Sequence, residues 1–160
     1  MTQTRPFRAA ILVLALAVGW AAPARAAEYR LTTQRVLADP LSGIALYGYD
    51  PVAYFVDGAA RPGAQAFELD WGGATWRFAS QANREEFLRS PETFAPAYGG
   101  YDADSVARGF AVASDPTVYK VEDDRLFLFR SEEARVRFAQ EGGAAAADKA
   151  WPQVLKEIGP

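Results

Sequence analysis

The chain contains 160 residues, with no cysteine, no histidine and one methionine, and its formal net charge is −3. Zinc, copper and haem iron are bound mainly by thiolate, imidazole and thioether groups, so sites of these kinds are not expected. The same composition excludes disulfides, a cysteine nucleophile and a Ser-His-Asp triad. The length is typical of one domain, and the hydrophobic half of the residues is enough for a packed core.

The first 26 residues have the pattern of a secretory signal peptide. Arg5 and Arg8 form a short basic region, residues 9–22 are mostly apolar, and Ala24-Arg25-Ala26 places small residues where a signal peptidase cleaves. The apolar run is shorter than the roughly 20 residues that a membrane span needs, and an uncleaved N-terminal anchor is the alternative. We therefore expect a periplasmic or secreted protein with no membrane span after cleavage.

Cleavage changes the charge balance. Removal of residues 1–26, which include three arginines and no acid, leaves 14 basic and 20 acidic residues and a formal charge of −6. An acidic domain repels phosphate backbones, so nucleic acid is not an expected partner.

The first part of the remaining chain predicts a strand and a hairpin. Residues 27–42 form a polar lead-in, and the domain is expected to span residues 43–158. β-Branched and aromatic residues from Pro51 to Val56 predict a strand. Residues 67–71 and 74–78 alternate apolar with polar side chains around Gly72-Gly73, which indicates a hairpin.

Serine residues mark the helices that follow. Ser80 is expected to cap a helix over residues 81–89, and Ser90-Pro91 is typical of a second helix start. After the glycine-dependent segment Tyr98-Gly99-Gly100-Tyr101, residues 103–108 can form a short helix that ends at Gly109.

The remaining elements repeat the mixture of hairpin and helix. Residues 118–121 and 126–129 predict a second hairpin, and Ser131 begins another helix, which ends at Gly142-Gly143. Residues 144–158 predict a terminal helix that Pro152 breaks or restarts. The order is not alternating βαβ and no internal repeat is evident, so we expect a small single α+β domain of two β-hairpins with short helices.

Several ordered motifs resemble those of the YHS-domain family, in its exported bacterial branch. They cover most of residues 43–155 and comprise Gly48–Phe55, Trp76–Asn83, Phe87, Pro91-Glu92, Ala95–Tyr101, Asp115-Pro116 and Ala147–Pro152. The resemblance implies a YHS-like domain. It does not by itself imply an activity, because one fold supports many functions.

The resemblance also implies which positions carry reactive atoms in relatives. YHS domains are linked to heavy-metal handling, and three cysteines of the metal-associated form fall on Ala53, Ala79 and Asn83 of this chain. In the exported branch, Tyr-Gly-Gly-Tyr is usually followed by cysteine or, in some relatives, selenocysteine, and that residue is Asp102 here. Neither alanine nor aspartate is a soft-metal ligand, so the resemblance implies a degenerate metal-binding site.

Two roles are open for Asp102. It can cap the short helix that follows, because aspartate is among the preferred N-cap residues. Alternatively, it is a hard-metal or acid/base carboxylate, with Asp104 and Asp50 as neighbours. The pattern favours the cap, because no acidic loop with calcium-ligand spacing is present. Glu122-Asp123-Asp124 is expected to be a solvated hairpin tip.

Five further residues around these motifs complete the candidate set. Asp50 precedes Pro51, which favours a local structural role over a catalytic one. Tyr49, Tyr54, Tyr98 and Tyr101 either line a pocket around position 102 or are core aromatics whose hydroxyl groups are hydrogen-bonded at the edge of the core.

We therefore expect an exported YHS-domain protein that acts as a non-catalytic binding or accessory module. Its expected partner is an envelope protein or a small ligand, and no cofactor is expected. The first alternative is an oxygen-ligand metal-binding protein that uses Asp102 and its neighbours. The second, with the weakest support, is a carboxylate-dependent hydrolase, because no recognisable catalytic motif is present.

Overall fold

Two antiparallel β-hairpins organise residues 36–158, the part of the chain that the computed structural model describes. In the first hairpin, β1 (Ala64–Trp71) pairs with β2 (Ala74–Phe78), and in the second, β3 (Asp115–Glu122) pairs with β4 (Arg125–Phe129). The α-helices within this range are α1 (Ala53–Val56), α2 (Gln81–Arg89), α3 (Pro91–Phe94), α4 (Ala103–Ala107), α5 (Glu132–Gln140) and α6 (Gly143–Glu157), and Leu46–Gly48 and Ala97–Gly100 form short 3-10 turns. The prediction of a small α+β domain with two hairpins is confirmed. The predicted signal peptide and most of the lead-in lie outside the described residues.

Both hairpin turns have a left-handed backbone at their two central residues. The φ angles are +61° and +82° at Gly72-Gly73 and +50° and +56° at Asp123-Asp124. Positive φ at both central positions is the geometry of a type I′ turn, which matches the twist of the flanking strands. Glycine adopts it without a Cβ clash and aspartate tolerates it, which explains why these two dipeptides form the tips.

Serine caps begin the helix after each hairpin, as the sequence predicts. The Ser80 hydroxyl oxygen accepts a hydrogen bond from the Asn83 N–H at 3.1 Å, and that of Ser131 accepts one from the Ala134 N–H at 3.3 Å. Each bond satisfies one of the N–H groups that a helix start leaves without a partner.

The strand predicted from Pro51 to Val56 is wrong, because residues 53–56 form helix α1. The Asp50 carboxylate accepts hydrogen bonds from the N–H groups of Val52 at 2.8 Å and Ala53 at 3.4 Å. Those N–H groups therefore have hydrogen-bond acceptors in a helical turn and do not need a partner strand. The β-branched and aromatic composition reflects burial here, since Val52, Ala53 and Tyr54 are each at most 2% exposed.

The prediction that Pro152 interrupts the terminal helix is also wrong, because α6 runs from Gly143 to Glu157 with Pro152 inside it. Pro152 has no N–H to donate to the carbonyl of Asp148, so one helical hydrogen bond is lost. Ala147 and Val154, on either side of it, are at most 1% exposed. Burial of the apolar side of α6 therefore holds the helix together across the proline.

Apolar side chains form two clusters in the domain. The first contains Trp76, Phe78 and Phe87 from the first hairpin and α2, and also Leu126 and Leu128 from β4. The second contains Phe127, Phe129 and Phe138 from the second hairpin and α5. Successive side chains of a strand point to opposite faces, so alternate residues of β4 pack into different clusters.

The domain contains an internal repeat that the sequence analysis did not detect. Ala64 pairs with Phe78 at the open end of the first hairpin, and Asp115 pairs with Phe129, in each case 51 positions later, in the second. Both registers shift at the same place, between the first and second residue pairs, and both hairpins lead into a nine-residue, serine-capped helix. We call residues 46–89 the first unit and residues 98–140 the second unit.

The turns that open the two units match as well. Leu46, Tyr47 and Gly48 have φ angles of +50°, +51° and +86°, and residues 98–100 have +55°, +64° and +89°. Each turn is followed by a tyrosine and an aspartate. Apart from Gly-Tyr-Asp, few equivalent positions of the two units carry the same residue. The repeat is therefore evident in the backbone structure and weak in the sequence.

Candidate functional site

The carboxylate of Asp50 is a buried junction between three segments. Its side chain is fully enclosed, and its Oδ1 accepts the N–H bonds at the start of α1. Its Oδ2 accepts hydrogen bonds from the N–H of Ala79 at 2.8 Å and from Nδ2 of Asn83 at 2.6 Å. Asp50 therefore connects α1 with the corner between β2 and α2.

The three positions at which the YHS resemblance places cysteines meet at this junction. Ala53, Ala79 and Asn83 each donate a hydrogen bond to Asp50, two through the backbone and one through the side-chain amide. The structure thus brings together positions that are up to 30 residues apart in the chain. The site around Asp50 is held by amides, and an N–H donor does not bind a metal cation.

Asp102 forms the equivalent junction in the second unit. Its carboxylate is fully enclosed, and Oδ2 accepts hydrogen bonds from the N–H and hydroxyl groups of Ser105, at 3.2 and 2.6 Å. Oδ1 accepts the N–H of Arg130 at 3.2 Å, and the Arg130 Nε lies 3.7 Å from Oδ2. The prediction that Asp102 caps the following helix is confirmed.

The nearby acidic residues do not converge on Asp102. Asp104 points its carboxylate to Arg108 and Arg137, with N···O distances of 2.7 Å to each, and Asp50 has the separate partners described above. Burial pushes the pKa of Asp104 up, but the hydrogen bonds from the two arginines outweigh it, so the pKa is lowered overall. Within residues 36–158, no group of three or more acidic side chains is arranged to hold a metal ion.

The four candidate tyrosines are divided between the two clusters and do not share one pocket. Tyr54 is buried in the first cluster and its hydroxyl donates to the Pro116 carbonyl at 2.8 Å, while Tyr49 packs against that cluster. Burial raises the pKa of Tyr54. Tyr98 is buried in the second cluster, and Tyr101 packs against it. Tyr98 also lines an open cleft.

The cleft has a volume of about 320 Å³ and lies between α3, the tip of the second hairpin and α6. Its charged lining residues are Glu92 on α3, Asp124 at the hairpin tip, Arg125 at the start of β4 and Asp148 on α6. Tyr98 and Trp151 add aromatic surface, with ring centroids 5.7 Å apart in an edge-to-face arrangement. The volume is near the lower end of the range for small-molecule sites.

Three of these side chains form a hydrogen-bonded network. Arg125 makes a bidentate pair with Asp148, with N···O distances of 3.0 and 2.8 Å. The Tyr98 hydroxyl donates to Asp148 Oδ1 at 2.8 Å and lies 3.3 Å from Arg125 Nη2. The Arg125 guanidinium also lies over the Tyr98 and Phe127 rings, 5.5 and 4.9 Å from their centroids.

The electrostatic interactions within this network keep each group in its usual protonation state at neutral pH. Burial, and then the hydrogen bond to Asp148, raise the pKa of Tyr98, so its hydroxyl stays protonated as a donor. Hydrogen bonds from Arg125 and Tyr98 lower the pKa of Asp148, which stays ionised. The hydrogen bond to Asp148 raises the pKa of Arg125.

Sequence reasoning placed Tyr98 in the candidate set but missed the other groups that line the cleft. Arg125 and Asp148 are 23 residues apart, and Tyr98 and Asp148 are 50 apart. No local pattern brings such residues together. The one available signal was Asp148 and Trp151, which belong to the last motif of the YHS resemblance.

Comparisons of the chain with family models, with curated proteins and with solved structures found no match. The YHS resemblance therefore remains a prediction from the motifs. No helix within residues 36–158 has the length and apolar character that are needed to cross a bilayer.

Proposed function

We propose that this chain is an exported, YHS-like binding module that carries out no catalysis itself. The observation that supports this proposal most directly is the state of Asp102. Its carboxylate is fully enclosed and bonded to two backbone N–H groups and a serine hydroxyl. A carboxylate with these partners stabilises a helix start and is not available to a substrate or a metal ion.

The same argument applies to the equivalent junction in the first unit. Asp50 receives four hydrogen bonds, so the positions that the resemblance assigns to cysteines are part of a structural network. In relatives, the corresponding reactive groups would sit at a preformed corner between a hairpin and a helix. In this chain, the corner is retained and the reactive groups are absent.

The test is a titration of the purified full chain with Cu(I), Zn²⁺ and Ca²⁺, followed by calorimetry and by metal analysis after dialysis. We expect no stoichiometric binding of any of the three ions. A matched variant, Asn83→Cys with Ala79→Cys, introduces two thiols at this corner and is expected to bind Cu(I) or Zn²⁺. Tight one-to-one binding of a soft metal by the unaltered chain would overturn the proposal. Tight Ca²⁺ binding that Asp102→Asn abolishes would favour the oxygen-ligand alternative.

A further inference from the structure

The internal repeat supplies a comparison that separates framework residues from residues with another role. Tyr98 in the second unit corresponds to Leu46 in the first, and Arg125 corresponds to Ala74. Leu46 and Ala74 are both buried in the first apolar cluster. The repeated turn and hairpin therefore do not require a tyrosine or an arginine at these positions. In the second unit, both positions open onto the cleft.

The cleft has an excess of negative charge that the protein does not neutralise. Its lining carries the three carboxylates of Glu92, Asp124 and Asp148 and the single guanidinium of Arg125, a formal charge of −2. Arg125 pairs with Asp148. Glu92 and Asp124 are both exposed, and their carboxylates form no hydrogen bond or ion pair with other residues in the described range. Two free carboxylates that line the same cleft from different elements attract a cation.

The aromatic surface of the cleft is also suited to a cation. The ring of Tyr98, which lines the cleft, and that of the buried Phe127 already contact one organic cation of the protein itself, the Arg125 guanidinium. The ring of Trp151 lies beside Tyr98 and is partly exposed in the cleft. Tryptophan is the strongest of the aromatic residues in cation–π contacts.

We propose that this cleft binds a small organic cation, such as a primary or quaternary ammonium group, between the Trp151 ring and the carboxylates of Glu92 and Asp124. A volume of about 320 Å³ is sufficient for one such ligand. The aromatic wall favours an organic cation. A metal ion needs converging oxygen ligands, and no group of three or more acidic side chains within residues 36–158 is arranged to hold one. This inference rests on the proposed function, because it names the ligand class of the binding module.

The experiment is a calorimetric titration of the full chain with butylammonium and tetramethylammonium, alongside observation of the indole N–H resonance of Trp151 by NMR. We expect a roughly millimolar dissociation constant and a shift of that resonance, because the ligands have few atoms. The neutral analogue 1-butanol should bind at least about tenfold more weakly than butylammonium, since it lacks the charge.

Two neighbouring residues of the hairpin tip provide the matched control. Asp123 and Asp124 carry the same charge in the same turn, but only Asp124 lines the cleft. Asp124→Asn and Glu92→Gln should each weaken binding about threefold or more, while Asp123→Asn should change it by less than about 1.5-fold. Glu92 and Asp124 are both exposed, so the variants at these two positions are expected to fold.

Three results would overturn the proposal. Equal binding of butanol and butylammonium would show that charge is not recognised. Equal weakening by Asp123→Asn and Asp124→Asn would show only a general attraction to the acidic surface. Absence of binding at concentrations of about 100 mM would show that the network only anchors α6. None of these results bears on position 102, whereas the metal titration does, so failure of the two proposals can be distinguished.

Discussion

Asp50 and Asp102 occupy equivalent positions in the two units. Each accepts the backbone N–H of the residue that precedes the serine cap of the next helix, Ala79 for Asp50 and Arg130 for Asp102. Each also donates its own N–H to a carbonyl in the loop before the hairpin, that of Arg61 or Val112. The two carboxylates thus have the same structural role, which is to fasten a short helix to a hairpin corner.

Replacement of either aspartate by alanine is therefore expected to destabilise the fold. Asp102→Ala removes the N-cap of α4, and Asp50→Ala removes the acceptor for the N–H groups at the turn that leads into α1. Each leaves buried N–H groups without an acceptor, at a cost of about 2–4 kcal/mol. Urea denaturation followed by circular dichroism measures this difference. Asp50→Asn and Asp102→Asn, which keep one acceptor oxygen, should cost less. If Asp102→Ala left stability unchanged while Asp50→Ala lowered it, the equivalence of the two junctions would be wrong.

Any side chain at Gly100 is expected to destabilise the fold, because the turns of the two units are in close contact there. Its φ is +89°, and a Cβ would lie 2.8 Å from Cδ2 of the buried Leu46. Gly109 has nearly the same φ, +88°, and a Cβ there would meet no atom within 4 Å. Gly109→Ala should cost about 1 kcal/mol, from backbone strain alone.

Gly100→Ala should cost about 2–4 kcal/mol, because steric overlap in the core adds to that strain. Thermal unfolding of the two variants side by side isolates the steric part. Similar melting temperatures would show that Leu46 can move aside at no cost.

The tip of the second hairpin can be improved by a residue that the first unit already has. Asp123 has a φ of +50° and corresponds to Gly72. Asp123→Gly relieves the left-handed strain and removes one of three successive acidic residues, so we expect a gain of about 0.5–1 kcal/mol. Chemical denaturation gives the value, and Ala113→Gly, at an exposed position outside the turns, is the control that should show no gain. A loss of stability in Asp123→Gly would contradict the type I′ assignment.

Asp104 links α4 to α5 through Arg137, and this contact makes stability depend on pH. The pKa of Asp104 is lower in the folded protein than its ordinary value, so the folded state binds its proton more weakly than the unfolded state. Its contribution is complete above about pH 4 and is lost as the pH falls through the lowered value. We expect Asp104→Asn to be about 1–2 kcal/mol less stable at pH 7, and the gap to close by about pH 2.

The control for this prediction is Asp57→Asn, which breaks an exposed pair with Arg61 on the surface. Exposed ion pairs contribute little, so a change of at most about 0.5 kcal/mol is expected at pH 7. Denaturation curves of the three proteins at pH 2, 4 and 7 provide the comparison. A gap between the unaltered chain and Asp104→Asn that stays constant with pH would show that packing, and not charge, is responsible.

Local patterns in the sequence were sufficient for most of the elements. The hairpin around Gly72-Gly73, the helix over residues 81–89 and the Ser131 cap depend on turn chemistry and capping within a few residues, and the structure has them as predicted. The exceptions are α1 and the part of α6 around Pro152. The Asp50 carboxylate accepts N–H groups only two and three residues later, so the signal for α1 was local and the β-branched, aromatic composition was misinterpreted as a strand. Burial of one side of α6, by contrast, depends on tertiary packing that a short window does not contain.

The sequence by itself determined the α+β class, the absence of soft-metal ligands, the presence of two hairpins and the serine caps that follow them, and it favoured Asp102 as a helix cap. The tertiary structure alone decided that Ala53, Ala79 and Asn83 meet at Asp50, that two units repeat with equivalent aspartates, and that Tyr98 shares a cleft with Arg125, Asp148 and Trp151. The physical reason is the range of the interactions. Turns and caps act over three or four residues. The contacts that join separate segments at the junctions and in the cleft are between residues that are 23 to 50 positions apart.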